Sequence, residues 1–138
     1  MTRSALAHAL DLIGDRWTLL IVDVLLKGPH RFNELSDGLD GIAPNILAKR
    51  LRQLEADGLI RSSLYSLRPP RARYELSASG EELADAAAIL AAWGGRRSGD
   101  PGSIPHDSCG TPLELRLWCP TCELPITRSN DATELDWL

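Results

Sequence analysis

The chain has 138 residues, 43% hydrophobic and 25% charged, with a formal net charge of −4. That length suits one domain of moderate core, burying roughly two-thirds of its unfolded surface, and the apolar content excludes wholesale disorder. No apolar run approaches the ~18 residues that would cross a membrane, Asp11 interrupts any signal-peptide core, and no nucleotide loop, metalloprotease helix or nucleophile elbow occurs, so a cytoplasmic protein without catalytic activity is expected.

Trp17 to Leu26 reads as a strongly apolar helix, stopped by Gly28-Pro29. Arg31 to Leu39 gives a short second helix with Phe32 and Leu35 turned inward. Asp40-Gly41 supplies a turn, and Ile42 plugs the space before the next helix. Arg31, at a helix start with its free N–H groups, is placed for an anion such as a phosphate.

The helix beginning at Pro44 has two faces. At about 100° per residue, Leu47, Leu51 and Leu54 share one stripe. Asn45, Lys49, Arg52 and Ala56 fall on the opposite side. Pro44 suits the first turn, where a missing N–H costs nothing, and Asp57-Gly58 ends the helix. Alone, such a helix could be an ordinary solvated one. Beyond Gly58 come an alternating strand, an Arg68-Pro69-Pro70-Arg71 turn and a second strand to Leu76, which is how a β-wing would be written. Recognition helix and wing fit two surfaces of one DNA duplex, the major groove and the adjacent backbone.

The charge distribution agrees. Residues 42–73 hold seven cations against two anions, whereas residues 98–138 hold two against seven. A local positive field is what counterion release requires, not a basic whole chain. Arg68, Arg71 and Arg73 are candidates for backbone or minor-groove contacts. For Arg73 the alternative is a strand residue with a structural role only.

Ser77 to Glu82 opens a further helix with acids in its first turn. Leu83, Ala87, Leu90 and Trp93 form its apolar seam, either a dimer interface or intrachain packing. Residues 98–105 are a linker by composition. Beyond it, His106, Cys109, Cys119 and Cys122 bracket a strand-like run from Leu113 to Trp118, and a hairpin there would bring the two ends together. A Cys₃His tetrahedron would suit Zn²⁺. A Cys119–Cys122 redox pair and a metal-free hairpin are the rivals, and Glu123 stands where such a turn usually has Gly. His8 and His30 read as surface residues.

Several stretches together resemble the HxlR-type winged-helix transcription regulators of bacteria: Ala9-Leu10-Asp11-Leu12-Ile13-Gly14-Asp15-Arg16-Trp17-Thr18-Leu19-Leu20-Ile21, Gly28-Pro29-His30-Arg31-Phe32-Asn33-Glu34-Leu35, Gly41-Ile42-Ala43-Pro44, Leu51 to Leu59, Pro69-Pro70 and Arg73-Tyr74-Glu75-Leu76. Trp93-Gly94 is similar to the family's final helix. The match runs collinearly over roughly residues 4–97. It implies a homodimer, paired through the first and last helices, on a pseudo-palindromic operator. The tail is similar to small zinc-ribbon tails of some members. Many members carry a redox-sensing Cys ahead of the first helix; Ser4 takes that position here, which implies no such switch. Ala43 replaces the usual Ser cap, a loss of about 0.5–2 kcal/mol. Asn45 and Lys49 are carried over by position, not identity.

The expected architecture is therefore mainly α with a small β-wing (α+β): a winged helix-turn-helix over 1–97, a linker over 98–105, and a small β-hairpin or zinc-ribbon-like unit over 106–138. The expected function is a sequence-specific, homodimeric DNA-binding transcription regulator using Arg31, Pro44, Asn45, Lys49, Arg52, Arg68, Arg71 and Arg73. A winged-helix adaptor that binds protein instead is the alternative. A small-molecule effector would find its place between the dimer helices, near Trp17 and Trp93.

Overall fold

The structure, a computed structural model, describes residues 2–100 and 104–127. Residues 101–103 of the expected linker and 128–138 of the expected tail lie outside the described residues. The chain divides into two compact units between Ala87 and Ala88.

The first unit starts with α1 (Ala5–Ile13), whose N-cap Ser4 accepts the Ala7 N–H at 3.1 Å. This is a direct use for a hydroxyl at that position. Next comes α2 (Thr18–Leu25), then β1 (His30–Arg31), α3 (Phe32–Gly38) and α4 (Pro44–Ala56). Ala43 is the N-cap of α4 and makes no side-chain cap bond, and Pro44 occupies the first turn, as expected. After α4, Gly58 turns the chain with φ 76°. The wing is β2 (Ile60–Leu67) and β3 (Pro70–Leu76), joined through Arg68 and Pro69 across a cis peptide bond.

The core gathers Ile21, Val22 and Leu25 of α2, Leu35 of α3, the α4 stripe, and Ile60 and Leu76 of the wing base. Ile42 joins them, as the plug between helices should. Leu47, Leu51 and Leu54 are 0%, 2% and 1% exposed, each worth roughly 1.5–3 kcal/mol of burial. Periodicity alone therefore identified the buried stripe correctly.

Three local expectations are revised. The sequence suggested two strands, but the sheet has three, ordered β1–β3–β2 and antiparallel throughout. The third is His30–Arg31, too short to show alternation. The helix expected after Ser77 is split into α5 (Ala78–Glu81) and α6 (Ala84–Ser98). Gly80 in α5 lies so close to the chain that a Cβ there would stand 2.1 Å from the Leu59 carbonyl oxygen. Ser77 caps α5, accepting the Gly80 N–H and donating to the Gly58 carbonyl. This short turn is thus tied to the end of α4, and a new helix starts after it. Leu83 packs on the core, whereas Leu90 and Trp93 on α6 are exposed.

In the second unit the expected strand from Leu113 to Trp118 is mostly not a strand. Instead β4 (Leu117–Cys119) pairs with β5 (Leu124–Ile126), and Pro105 bridges Pro112 separately. Two small hairpins replace the single one expected, because each Cys-bearing turn folds its own flanks together.

Leu47→Ala should destabilise the winged helix by about 2–5 kcal/mol, the range for a fully buried leucine. Lys49→Ala, on the exposed face, should change stability by less than ~0.5 kcal/mol. Urea denaturation of both variants measures the contrast.

Candidate nucleic-acid interface

On α4, Asn45, Lys49 and Arg52 are all outside the buried core, on the side away from the leucine stripe. Pro44 is exposed at the same end as Asn45. None of Lys49, Arg52, Arg68, Arg71 and Arg73 enters an ion pair among the described residues. Two other cations of the basic segment do: Arg50 meets Asp15 at 3.6 Å and Arg61 meets Glu75 at 3.4 Å.

Asp15 is a residue that sequence reasoning passed over. Its carboxylate accepts the N–H groups of Trp17 and Thr18 at 2.9 and 3.0 Å, together with the Thr18 hydroxyl. It therefore satisfies the otherwise unpaired amides at the start of α2 while pairing with Arg50 of α4. The signal was an acid just ahead of an apolar helix. Partial burial pushes the pKa of this carboxyl up. The Thr18 hydroxyl, the two backbone N–H groups and Arg50 outweigh burial, so the carboxyl titrates below the usual range.

The wing holds a second missed residue, Tyr65. Along β2 the register passes from Leu64 opposite Ala72 to Ser66 opposite Arg71, so Tyr65 is the extra residue of a β-bulge. The Arg31 guanidinium lies 4.5 Å from its ring centre, and that of Arg73 6.0 Å. Arg31 and Arg73 are direct partners across β1 and β3. Like charges directly opposite each other repel, and the ring face is a favourable place for both. Arg31 stands at a helix start, as expected: it is the N-cap of α3 and also the last residue of β1. Its N–H is taken by the Glu34 carboxylate at 2.9 Å. Its side chain, half exposed beside the wing, also meets that carboxylate at 4.0 Å. Arg68 stands in the wing turn and Arg71 at the wing's outer end, both exposed. A cleft of ≈ 400 Å³ opens between the start of α3 and the wing, lined by Phe32, Asn33, Tyr65 and Arg71 among others.

The tail residues form two pairs. The His106 Nδ1 is 3.3 Å from the Cys109 Sγ, and that sulfur is 3.2 Å from the Thr111 hydroxyl. Hydrogen bonding with the side chain and backbone of Thr111, and then with His106, holds the Cys109 thiol below the usual thiol range. Cys119 ends β4, and Cys122 lies within the turn that leads to β5. These are donors of the right chemistry for zinc. Among the described residues, however, no three His, Cys, Asp or Glu side chains are gathered as one metal-holding group. His30 is half-buried rather than on the surface, its Nδ1 2.6 Å from the Gly28 carbonyl oxygen. Trp17 is half-buried against the core, and Trp93 is exposed.

Residues 12–100 match the HxlR-like helix-turn-helix family. The chain belongs to that family. It is a family of helix-turn-helix transcriptional regulators, not of enzymes. The uncharacterized HTH-type transcriptional regulator Rv3095 of Mycobacterium tuberculosis (strain ATCC 25618 / H37Rv) is 37% identical over 134 residues, covering 94% of this chain and 84% of that protein. A crystal structure of the HTH-type transcriptional regulator ytcD superposes with a TM-score of 0.65 at 35% identity, covering 70% of this chain and 99% of that one. The redox regulator HypR in its reduced form gives a TM-score of 0.64 at 31% identity, covering 70% and 95%. No helix among the described residues is long and apolar enough to cross a membrane.

Asp15→Ala should cost about 1–2 kcal/mol at neutral pH, the range for a lost helix-start acceptor. The folded carboxyl titrates below its unfolded value of about 3.9, so its contribution is complete above that pH. It is lost as pH falls through the lower, folded value. Urea denaturation of wild type and variant should show a gap that is constant from about pH 7 to 5 and narrows below about pH 4.

Proposed function

We propose that this HxlR-family member is a sequence-specific regulator that binds a pseudo-palindromic operator as a homodimer in the cytoplasm. The observation that carries the reading is the division of α4. Three leucines are buried on one stripe, and Asn45, Lys49 and Arg52 are left outside it with no carboxylate partner among the described residues. Asn45 and Lys49, in the first turns of α4, read base edges; Asn suits adenine and Lys suits guanine. Pro44 and Arg52 flank them. Arg31 and Arg73, drawn together on Tyr65, take a backbone phosphate that relieves their mutual repulsion. Arg68 and Arg71 extend that contact along the wing.

One recognition helix is too small for operator selectivity, so two copies with half-sites about one helical turn apart are expected. Exposed Leu6 and Leu10 on α1, and Ile89, Leu90 and Trp93 on α6, supply the apolar surface for pairing.

Binding to the DNA flanking the chain's own gene tests the reading. Asn45→Ala should cost roughly 1–3 kcal/mol on the operator and little on scrambled DNA. Arg68→Ala with Arg71→Ala should weaken binding to both and flatten the salt slope by about 2 per protomer. Equal losses on both DNAs for Asn45→Ala would remove it from base reading. An unchanged slope would take the wing off the duplex, and no binding at all would favour a protein-binding adaptor.

Light scattering without DNA should report twice the chain mass. A monomer at micromolar concentration would refute pairing through α1 and α6.

A further inference from the structure

Regular strand pairing would not put Tyr65 where it is. Along β2 and β3 the register runs from Ile60 opposite Leu76 to Leu64 opposite Ala72, and its next step would set Tyr65 opposite Arg71. Ser66 takes that place instead, which leaves Tyr65 as the extra residue. A bulge of this kind re-aims one side chain and leaves part of the ladder unmade. It does not aim Tyr65 into the core. The residue is 40% exposed and is neither in the buried cluster nor among the side chains packed against it. Packing therefore does not account for the bulge.

What the ring meets is two guanidinium groups from two other strands. Arg31 lies 4.5 Å and Arg73 6.0 Å from its centre. Because β3 stands between β1 and β2, the ring crosses β3 to reach Arg31. The way a cation is held decides what it can still do. A carboxylate, as at Arg50 and Arg61, cancels the charge and occupies guanidinium N–H groups. A ring face restrains the group through its quadrupole but leaves the charge and the N–H fork for another acceptor. Arg73 has no carboxylate partner among the described residues, and Arg31 meets only Glu34, at 4.0 Å. Donors kept in this way suit the oxygens of a phosphate.

We propose that Tyr65 is the positioning residue of the wing: its ring holds Arg31 and Arg73 together as one cradle for a DNA backbone phosphate. The inference rests on the DNA-binding reading above and names the uncharged residue on which that contact depends. Tyr65 acts through the two arginines and not by touching DNA. Arg31 and Arg73 face each other across β1 and β3, and like charges so placed push apart. The ring confines both side chains, so less ordering is left for the moment of binding. The ring face supplies the hold, and the phenol hydroxyl is not needed for it.

The test is binding of the full-length protein to the DNA flanking its own gene and to scrambled DNA, each over a range of salt. Tyr65→Phe keeps the ring and should bind within about twofold of wild type. Tyr65→Leu keeps apolar bulk without the quadrupole. It should weaken binding to both DNAs by about tenfold, the scale of two exposed cation–ring contacts, and flatten the salt slope by about 1 per protomer. Both residues are neutral, so a changed slope reports cations that have left a phosphate. Arg73→Ala should accordingly lose less in the Tyr65→Leu background than in wild type. Wild-type affinity and slope in Tyr65→Leu overturn the proposal, as does a Tyr65→Phe loss as large as that of Tyr65→Leu. If Tyr65→Leu also lowers the urea midpoint, the Arg73→Ala comparison decides: a smaller loss in that background supports the proposal, and an equal one overturns it. A wild type that binds neither DNA overturns the DNA-binding reading itself, and the proposal with it.

Discussion

Leu47, Leu51 and Leu54 must leave water together, because they lie on one stripe of a single rigid helix. That constraint sets most of the first unit. α2 and α3 supply Ile21, Val22, Leu25 and Leu35 to receive the stripe, and the wing base closes it with Ile60 and Leu76. Once the stripe is buried, the rotation of α4 is fixed. Asn45, Lys49 and Arg52 then have nowhere to go but outward. The outward face of α4 is thus a by-product of hydrophobic packing, and its side chains can vary without disturbing the fold.

Electrostatics sorts the cations by position rather than by number. Arg50 and Arg61 meet carboxylates and serve the scaffold. Asp15 is central to that scaffold, since one carboxylate satisfies the start of α2 and also meets α4. Arg68, Arg71 and Arg73 of the wing have no such partners among the described residues. Arg31 stands opposite Arg73, and the Tyr65 ring and the Glu34 carboxylate beside Arg31 both offset the repulsion between the two cations. A chain that is acidic overall can still present such a surface, because the field within a Debye length of about 8–10 Å is set by neighbours.

What could be read from the sequence depended on the range of each signal. The α4 stripe, the Gly58 stop and the wing strands are local patterns of period 3.6 or 2, and all are present. β1 is invisible to such patterns because two residues carry no period. The bulge at Tyr65 is equally hidden, since register is a property of strand pairing and not of one strand. The split between α5 and α6 arises from Gly80 meeting the Leu59 chain, a contact between residues far apart in sequence. Asp15 was readable in principle, as an acid just ahead of an apolar helix. In the tail, the residue types suggested metal chemistry, but the expected single hairpin became two, because each turn closed on its own neighbours.

α1 is nine residues long and has no buried residue; only Ile13 rests against the core. Helices shorter than about 12–15 residues are marginal in water on their own. The Ser4 cap and the Arg3–Asp11 ion pair at 2.7 Å add little to such a segment. Amide exchange along residues 5–13 therefore works as a gauge of cover. In a protomer that keeps α1 bare, these amides would trade their hydrogens nearly as fast as an unfolded peptide. Slow exchange there would mean that a surface outside this chain's own core lies over the helix, and the degree of slowing would measure how firmly it does so.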